Sequence, residues 1–218
     1  MGSYAPDIPE ALARPEAYPH ATTPIQIVET HISWVFLTGR YAYKVKKPVD
    51  FGFLDFSTLK QRAHFCREEV RLNRRLCPEL YLGVVPITHR NGTVCVGGKG
   101  VVTEYAVKMQ QFSQSEELDR LLAVNRLDET HIDRIAETVA TFHKSIPAAE
   151  YDSEYGLPEK LLCPLRENFR HIANLLHTSA EQGVLKKLET WTMLEYRRLK
   201  AGFCQRSEER RVGKECRS

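Results

Sequence analysis

Close to residue 110 the chain changes its prevailing apolar period, and that change restricts the fold more than any other feature. Up to Met109, one long helical stretch apart, the apolar and β-branched residues come in short alternating runs; beyond it they recur every three or four positions. A period of two lines one face of a strand, and a period near 3.6 lines one face of a helix. The pattern predicts an α+β protein with an antiparallel sheet first and helices after it.

The strand half begins after a Pro- and Ala-rich stretch that reads as a short helix and a loop. "IQIVETHISWVFLTGRYAYKVKKPV" supplies three strands, with Gly39-Arg40 turning between the second and third and Pro48 ending the third. A long helix follows in "STLKQRAHFCREEVRLNRRL", with Ser57 placed to cap it. Leu59, Ala63, Cys66, Val70 and Leu76 form its apolar stripe, and Pro78 bars continuation. "YLGVVPIT", "TVCVGG" and "VVTEYAVKM" are further strands; Asn91-Gly92 is a tight turn, and "VGGKG" reads as a hairpin turn between the last two. The helical half holds "SQSEELDRLLAV", "LDETHIDRIAETVATFHKS", "PLRENFRHIANLL" and "VLKKLETWTMLEYRRLK". In the second of these Asp128 is the cap, and Ile132, Ile135, Val139 and Phe142 are the stripe. The expected division is an extension over 1–21, a sheet-bearing lobe over 22–109, a helical lobe over 110–205 and a tail over 206–218.

Composition excludes several functions. The net charge of the 218 residues is +3, and the segment Arg206–Ser218 alone carries five basic and three acidic residues, so the body is almost neutral. A neutral body offers no footprint for nucleic acid or an anionic membrane surface. Cysteines 66, 77, 95, 163, 204 and 216 form no C-x-x-C pair and suggest neither zinc nor a disulfide framework. With no signal-like N-terminus and no apolar run of membrane-spanning length, the expectation is a cytoplasmic protein.

The stretch that bears on chemistry is "RYAYKVKKPVDFGF". On a strand, Ala42, Lys44 and Lys46 point one way and Tyr41, Tyr43 and Val45 the other. One reading is a solvated edge. The other is a small residue flooring a nucleotide base, with Lys44 one step along to meet phosphate oxygens, as in protein-kinase-like small lobes. The helix offers two adjacent acids: Glu69 borders the apolar stripe and Glu68 lies farther round, and neither has a basic residue four positions on. No G-x-x-x-x-G-K-[ST] or G-x-G-x-x-G motif occurs, and "ETHIS" is either a phosphate-covering loop using Thr30, His31 and Ser33 or a plain hairpin. His143, at a helix C-terminus, reads as structural.

"ISWVFLTGRYAYKVKKPVDFGFLDFSTLKQR" followed by "CREEVRLNRRLCPELYLGVVPI" resembles the aminoglycoside-phosphotransferase-like kinases. The resemblance runs over roughly 22–205 and is nearest to the bacterial subgroup in which such a domain precedes a P-loop ATPase-like domain. It implies a protein-kinase-like small lobe followed by an incomplete helical large lobe. It makes Lys44 the nucleotide-phosphate lysine, Glu69 its helix partner and Ala42 the floor of the base. It also makes Glu104–Met109 a strand-to-helix hinge at which Glu104 and Ala106 meet adenine. The implied cofactors are ATP and magnesium; the implied partners are a nucleotide and a small-molecule hydroxyl acceptor, with a P-loop ATPase domain fused in the parent.

The family pattern then requires H-G-D-x-H-x-x-N, whose Asp serves the attacking hydroxyl and whose Asn holds magnesium. "HGD" occurs nowhere in this sequence. "RSEERRVGKECRS" resembles a frame read through a sequencing adapter, so the expectation is a truncated, inactive kinase fragment with a non-native tail. The alternative is a non-catalytic nucleotide- or protein-binding module with a degenerate kinase fold.

Overall fold

Alternation of apolar residues builds six strands: β1 (Gln26–Glu29), β2 (Ser33–Leu37), β3 (Tyr41–Lys46), β4 (Tyr81–Arg90), β5 (Thr93–Val96) and β6 (Val101–Gln110). They form one antiparallel sheet of order β1-β2-β3-β6-β4-β5 in a computed structural model that describes residues 7–147 and 157–212. The helices are α1 (Ile8–Leu12), α2 (Leu59–Asn73), α3 (Leu118–Ala123), α4 (Glu129–Ser145), α5 (Pro158–Leu175) and α6 (Ser179–Val212). The protein is thus α+β. It divides into two units, one ending at His143 and the other starting at Lys144.

The sheet has two covered faces. Phe36, Tyr43, Val45, Ile87 and Ala106 pack on one side with Leu12, Ala17 and Tyr18. Leu12, Ala17 and Tyr18, which fall in the expected extension over 1–21, are therefore part of the core. Asp7 caps α1 by accepting a bond from the Glu10 amide at 3.0 Å, and the Tyr18 hydroxyl donates to the Leu12 carbonyl at 2.6 Å. On the other side Cys66 and Val70 of α2 meet Val107, with Tyr81, Val84, Tyr105 and Met109 around them.

Three local expectations are corrected here. The cap of α2 is Thr58 rather than Ser57: the Thr58 hydroxyl accepts from the Gln61 amide at 3.2 Å, and the Gln61 side chain accepts from the Thr58 amide at 3.1 Å. Thr58 wins because Gln61 stands three residues after it and closes a reciprocal capping box. Leu76 lies beyond the end of α2 and is exposed. "VGGKG" is no hairpin turn, because β5 and β6 are not neighbours. It carries the chain past β4, so that β6 enters between β3 and β4. That passage needs glycine at position 100, where φ is +158° and a Cβ would stand 2.7 Å from the His89 carbonyl oxygen.

Helix α4 is capped by Asp128, which accepts from the His131 amide at 3.1 Å. It belongs largely to the sheet-bearing unit, beyond the expected boundary at 109/110. Its stripe residues Ile132, Ile135 and Val139 are exposed. In the other unit α5 begins at Pro158, ahead of the expected start, and passes through Pro164. Lys200 of α6 reaches Glu159 of α5 at 2.8 Å. The expected tail boundary at 205/206 falls inside α6, which runs on to Val212. Nothing there forbids helix, since "SEERR" holds good helix formers and neither Pro nor Gly. Residues 213–218 of the expected tail lie outside the described residues. Among the described residues no helix is long and apolar enough to cross a membrane.

Candidate functional site

The site grows from the parity of β3. Tyr43 and Val45 enter the core on the N-terminal side, so Ala42, Lys44 and Lys46 must face the side that carries α2. A lysine facing a packed helix needs an anion, and α2 supplies it. Glu69 takes the Lys44 ammonium on Oε1 at 2.8 Å and the Lys46 ammonium on Oε2 at 2.6 Å. Burial alone would raise the Glu69 carboxyl, but the two ammonium donors outweigh it and hold the group below the ordinary carboxylate range. Glu68 points elsewhere and forms an exposed ion pair with Arg71 at 2.7 Å.

The two lysines are not equivalent. The Lys44 side chain is 29% exposed, whereas that of Lys46 is 6% exposed and lies over the Phe56 ring at 4.9 Å from its centroid. Cys66, on the same face of α2, is fully buried, and burial pushes its thiol up to about 11, which removes it as a nucleophile.

Where β1, β2 and β3 extend past α2, their uncovered side walls a cleft of about 210 Å³. Val35, Leu37 and Ala42 line it from the sheet, Met109 from β6, and Gln111 and Phe112 from the segment that leaves β6. Ala42 sits opposite Leu37 and Met109 in the ladders, and its small side chain leaves the room that a larger residue would fill. Lys44 is not part of the lining; it lies two residues along the same face of β3, opposite the lining residue Val35.

The expected hinge is not at Glu104–Met109. Glu104, Ala106 and Met109 lie within β6, which pairs with β4 on one side and β3 on the other, so their backbone groups serve the sheet. Ala106 belongs to the N-terminal core, opposite Val45. Glu104 is buried against Arg62 of α2 at 2.8 Å, and burial raises its carboxyl above the ordinary range despite that partner. The chain leaves the sheet only after Gln110. There the Gln111 amide donates to the Arg40 carbonyl at 3.1 Å, and the Gln111 side chain accepts from the Gly39 amide at 2.9 Å.

The "ETHIS" segment is a turn closed by Thr30, and it leaves the buried Ser33 hydroxyl without a hydrogen-bond partner among the described residues. Thr30 donates to the Ser33 carbonyl at 3.1 Å and accepts from the Ser33 amide at 3.0 Å, while the Ser33 side chain is buried. His143 is exposed on α4. Sequence reasoning singled out Lys44, Glu69 and Ala42, and the structure brings them to one face; it did not single out Lys46 or Arg62. Both carried a signal. Lys46 shares the parity of Lys44, and Arg62 stands one turn before Cys66 and two before Glu69 on a single helical face.

Three mycobacterial proteins described as uncharacterized, one from Mycobacterium bovis and two from strains of Mycobacterium tuberculosis, are 34% identical to this chain over 130 residues. The match covers 59% of this chain but 24% of each relative, so the chain spans about a quarter of the length of the curated relatives it matches. No protein-family model matches the chain, and no solved structure does.

Proposed function

We propose that the sheet-bearing unit is the nucleotide-holding small lobe of an ATP-dependent phosphotransferase of the aminoglycoside-phosphotransferase-like kind. The whole protein would act on a hydroxyl of a small molecule. The observation that carries the reading is the strand-to-helix ion pair of Lys44 with Glu69, 2.8 Å long, beside a cleft floored by Ala42.

ATP fits these residues. The apolar walls of Val35, Leu37 and Met109 exclude water from a flat base, and Ala42 lets it lie close to β3. The exposed part of the Lys44 ammonium is free to donate to phosphate oxygens while Glu69 fixes its direction. When bound, ATP supplies the transferable phosphoryl group. The backbone contacts to the base fall to Phe112 and the Gln111 carbonyl, the Gln111 amide being taken by Arg40, rather than to Glu104 and Ala106.

Magnesium does not fit. Among the described residues no three His, Cys, Asp or Glu side chains are grouped to hold a metal ion, and the sequence has no H-G-D-x-H-x-x-N. Lys44 alone does not balance the charge that develops on a transferring phosphoryl group, so this chain binds nucleotide and does not turn it over. The same observation favours a second reading, a nucleotide- or protein-binding module that never catalyses.

Thermal unfolding with and without ATP or ADP tests the first step. Wild type is expected to be stabilised in proportion to ln(1 + [L]/Kd), and Lys44→Met is expected to lose that shift. A wild type indifferent to both nucleotides removes the kinase reading and leaves the protein-binding module. Phosphoryl transfer to any hydroxyl acceptor by this chain would overturn the inactive assignment.

A further inference from the structure

Charge counting around Glu69 gives an unexpected result. Two ammonium groups meet one carboxylate, so the cluster carries one surplus positive charge before any ligand arrives. The two oxygens are divided between the lysines, Oε1 to Lys44 and Oε2 to Lys46. Of the two, Lys46 is enclosed, packed on Phe56 and committed; Lys44 is the one that borders solvent. A carboxylate this buried could not be left bare without a large desolvation penalty. If Lys44 were its sole partner, every movement of Lys44 toward an anion would expose Glu69 to that penalty. With Lys46 in place it does not.

We propose that Lys46 is a positioning residue: by holding Glu69 compensated, it frees the Lys44 ammonium to engage an anionic phosphate in the adjoining cleft. For its ligand the inference rests on the nucleotide reading above; for the freedom of Lys44 it rests on the geometry alone. The two parts are tested separately.

The first arm uses no ligand. The full chain is pulse-labelled with an amine acetylating reagent, and Lys44 is followed by fragment-resolved mass spectrometry in wild type, Lys46→Met, Lys46→Arg and Lys46→Met/Glu69→Gln. Losing Lys46 is expected to slow Lys44 labelling about fivefold, since Glu69 then depends on Lys44 alone. Lys46→Arg is expected to recover most of the rate, and Glu69→Gln to restore it in the Lys46→Met background. The second arm measures affinity for inorganic tripolyphosphate and for metal-free ATP by calorimetry. Lys46→Met is expected to bind about tenfold more weakly, and Glu69→Gln to be at least about fivefold more favourable in that background than in wild type, a coupling that simple loss of charge does not produce. Circular dichroism checks each fold, and Lys46→Gln replaces Lys46→Met if the latter does not fold. Unchanged Lys44 labelling, or additive effects of the two substitutions on affinity, overturns the proposal while leaving the nucleotide reading intact. A wild type that binds neither anion, combined with slowed labelling in Lys46→Met, overturns the nucleotide reading and supports the role of Lys46.

Discussion

Helix α2 is tied to the sheet by two buried ion clusters, one near each end, and they are built on different plans. At its start Arg62 and Glu104 meet one to one, with side chains 9% and 6% exposed. Farther along, Glu69 faces two lysines, one of them partly open to solvent. A sealed and balanced pair has no charge left to offer and serves attachment. An unbalanced cluster whose outer lysine stands opposite the cleft residue Val35 has one charge in reserve. The carboxyls register the difference in opposite senses: burial prevails at Glu104 and raises it, while the lysines prevail at Glu69 and lower it.

The comparison breaks first at Arg62. Removing one partner of a sealed pair strands the other, so Arg62→Ala is expected to cost about 3–5 kcal/mol in urea unfolding. If the loss is no larger than that of Lys44→Met, the two clusters are not different in kind. Lys44→Met should itself cost on the order of 1 kcal/mol, because Lys46 still compensates Glu69; its main effect is the lost nucleotide shift.

Acidity sharpens the contrast. Glu69 is held low in the folded chain, so its contribution to stability is present above the ordinary carboxylate range and is lost as pH falls through the folded value. Glu104 is held high, so its contribution is complete below that range and is lost as pH rises through its folded value. Glu69→Gln is therefore expected to flatten the acid limb of a stability–pH curve, and Glu104→Gln the limb above it. Equal effects of both variants on one limb would contradict the assignment. Smallest of all is the exposed pair on the outer face of α2: Arg71→Ala should leave the unfolding midpoint where it is.

Local signals carried most of what was legible in the sequence. Strict alternation over Tyr41–Lys46 placed the lysines on one face, and the turn at Asn91-Gly92 follows from two residues able to take positive φ. What was not legible is long-range. The run Val101–Gln110 reads as a strand from its own residues, but its place between β3 and β4 depends on partners far away in the chain. That placement turned Glu104 and Ala106 from hinge residues into sheet residues. Arg62 was missed because an arginine on a helix reads as solvated unless a buried acid elsewhere is known to await it. Thr58 displaced Ser57 through one side chain three residues on. The helical segments showed their period, yet period does not say what covers a stripe, and Ile132, Ile135 and Val139 remain uncovered.

The insertion of β6 has a consequence for the order in which the molecule can form. Before it arrives, β1–β3 is one meander and β4–β5 another hairpin, each with an open edge that invites wrong partners. Helix α2 has no Val107, Tyr105 or Met109 to pack on, and the cleft lacks the wall opposite Ala42. During synthesis the chain must therefore emerge past Gln110 before the sheet becomes one piece and the lysine cluster is enclosed. A nascent chain arrested short of that residue would hold Lys44, Lys46 and Glu69 without the architecture that relates them.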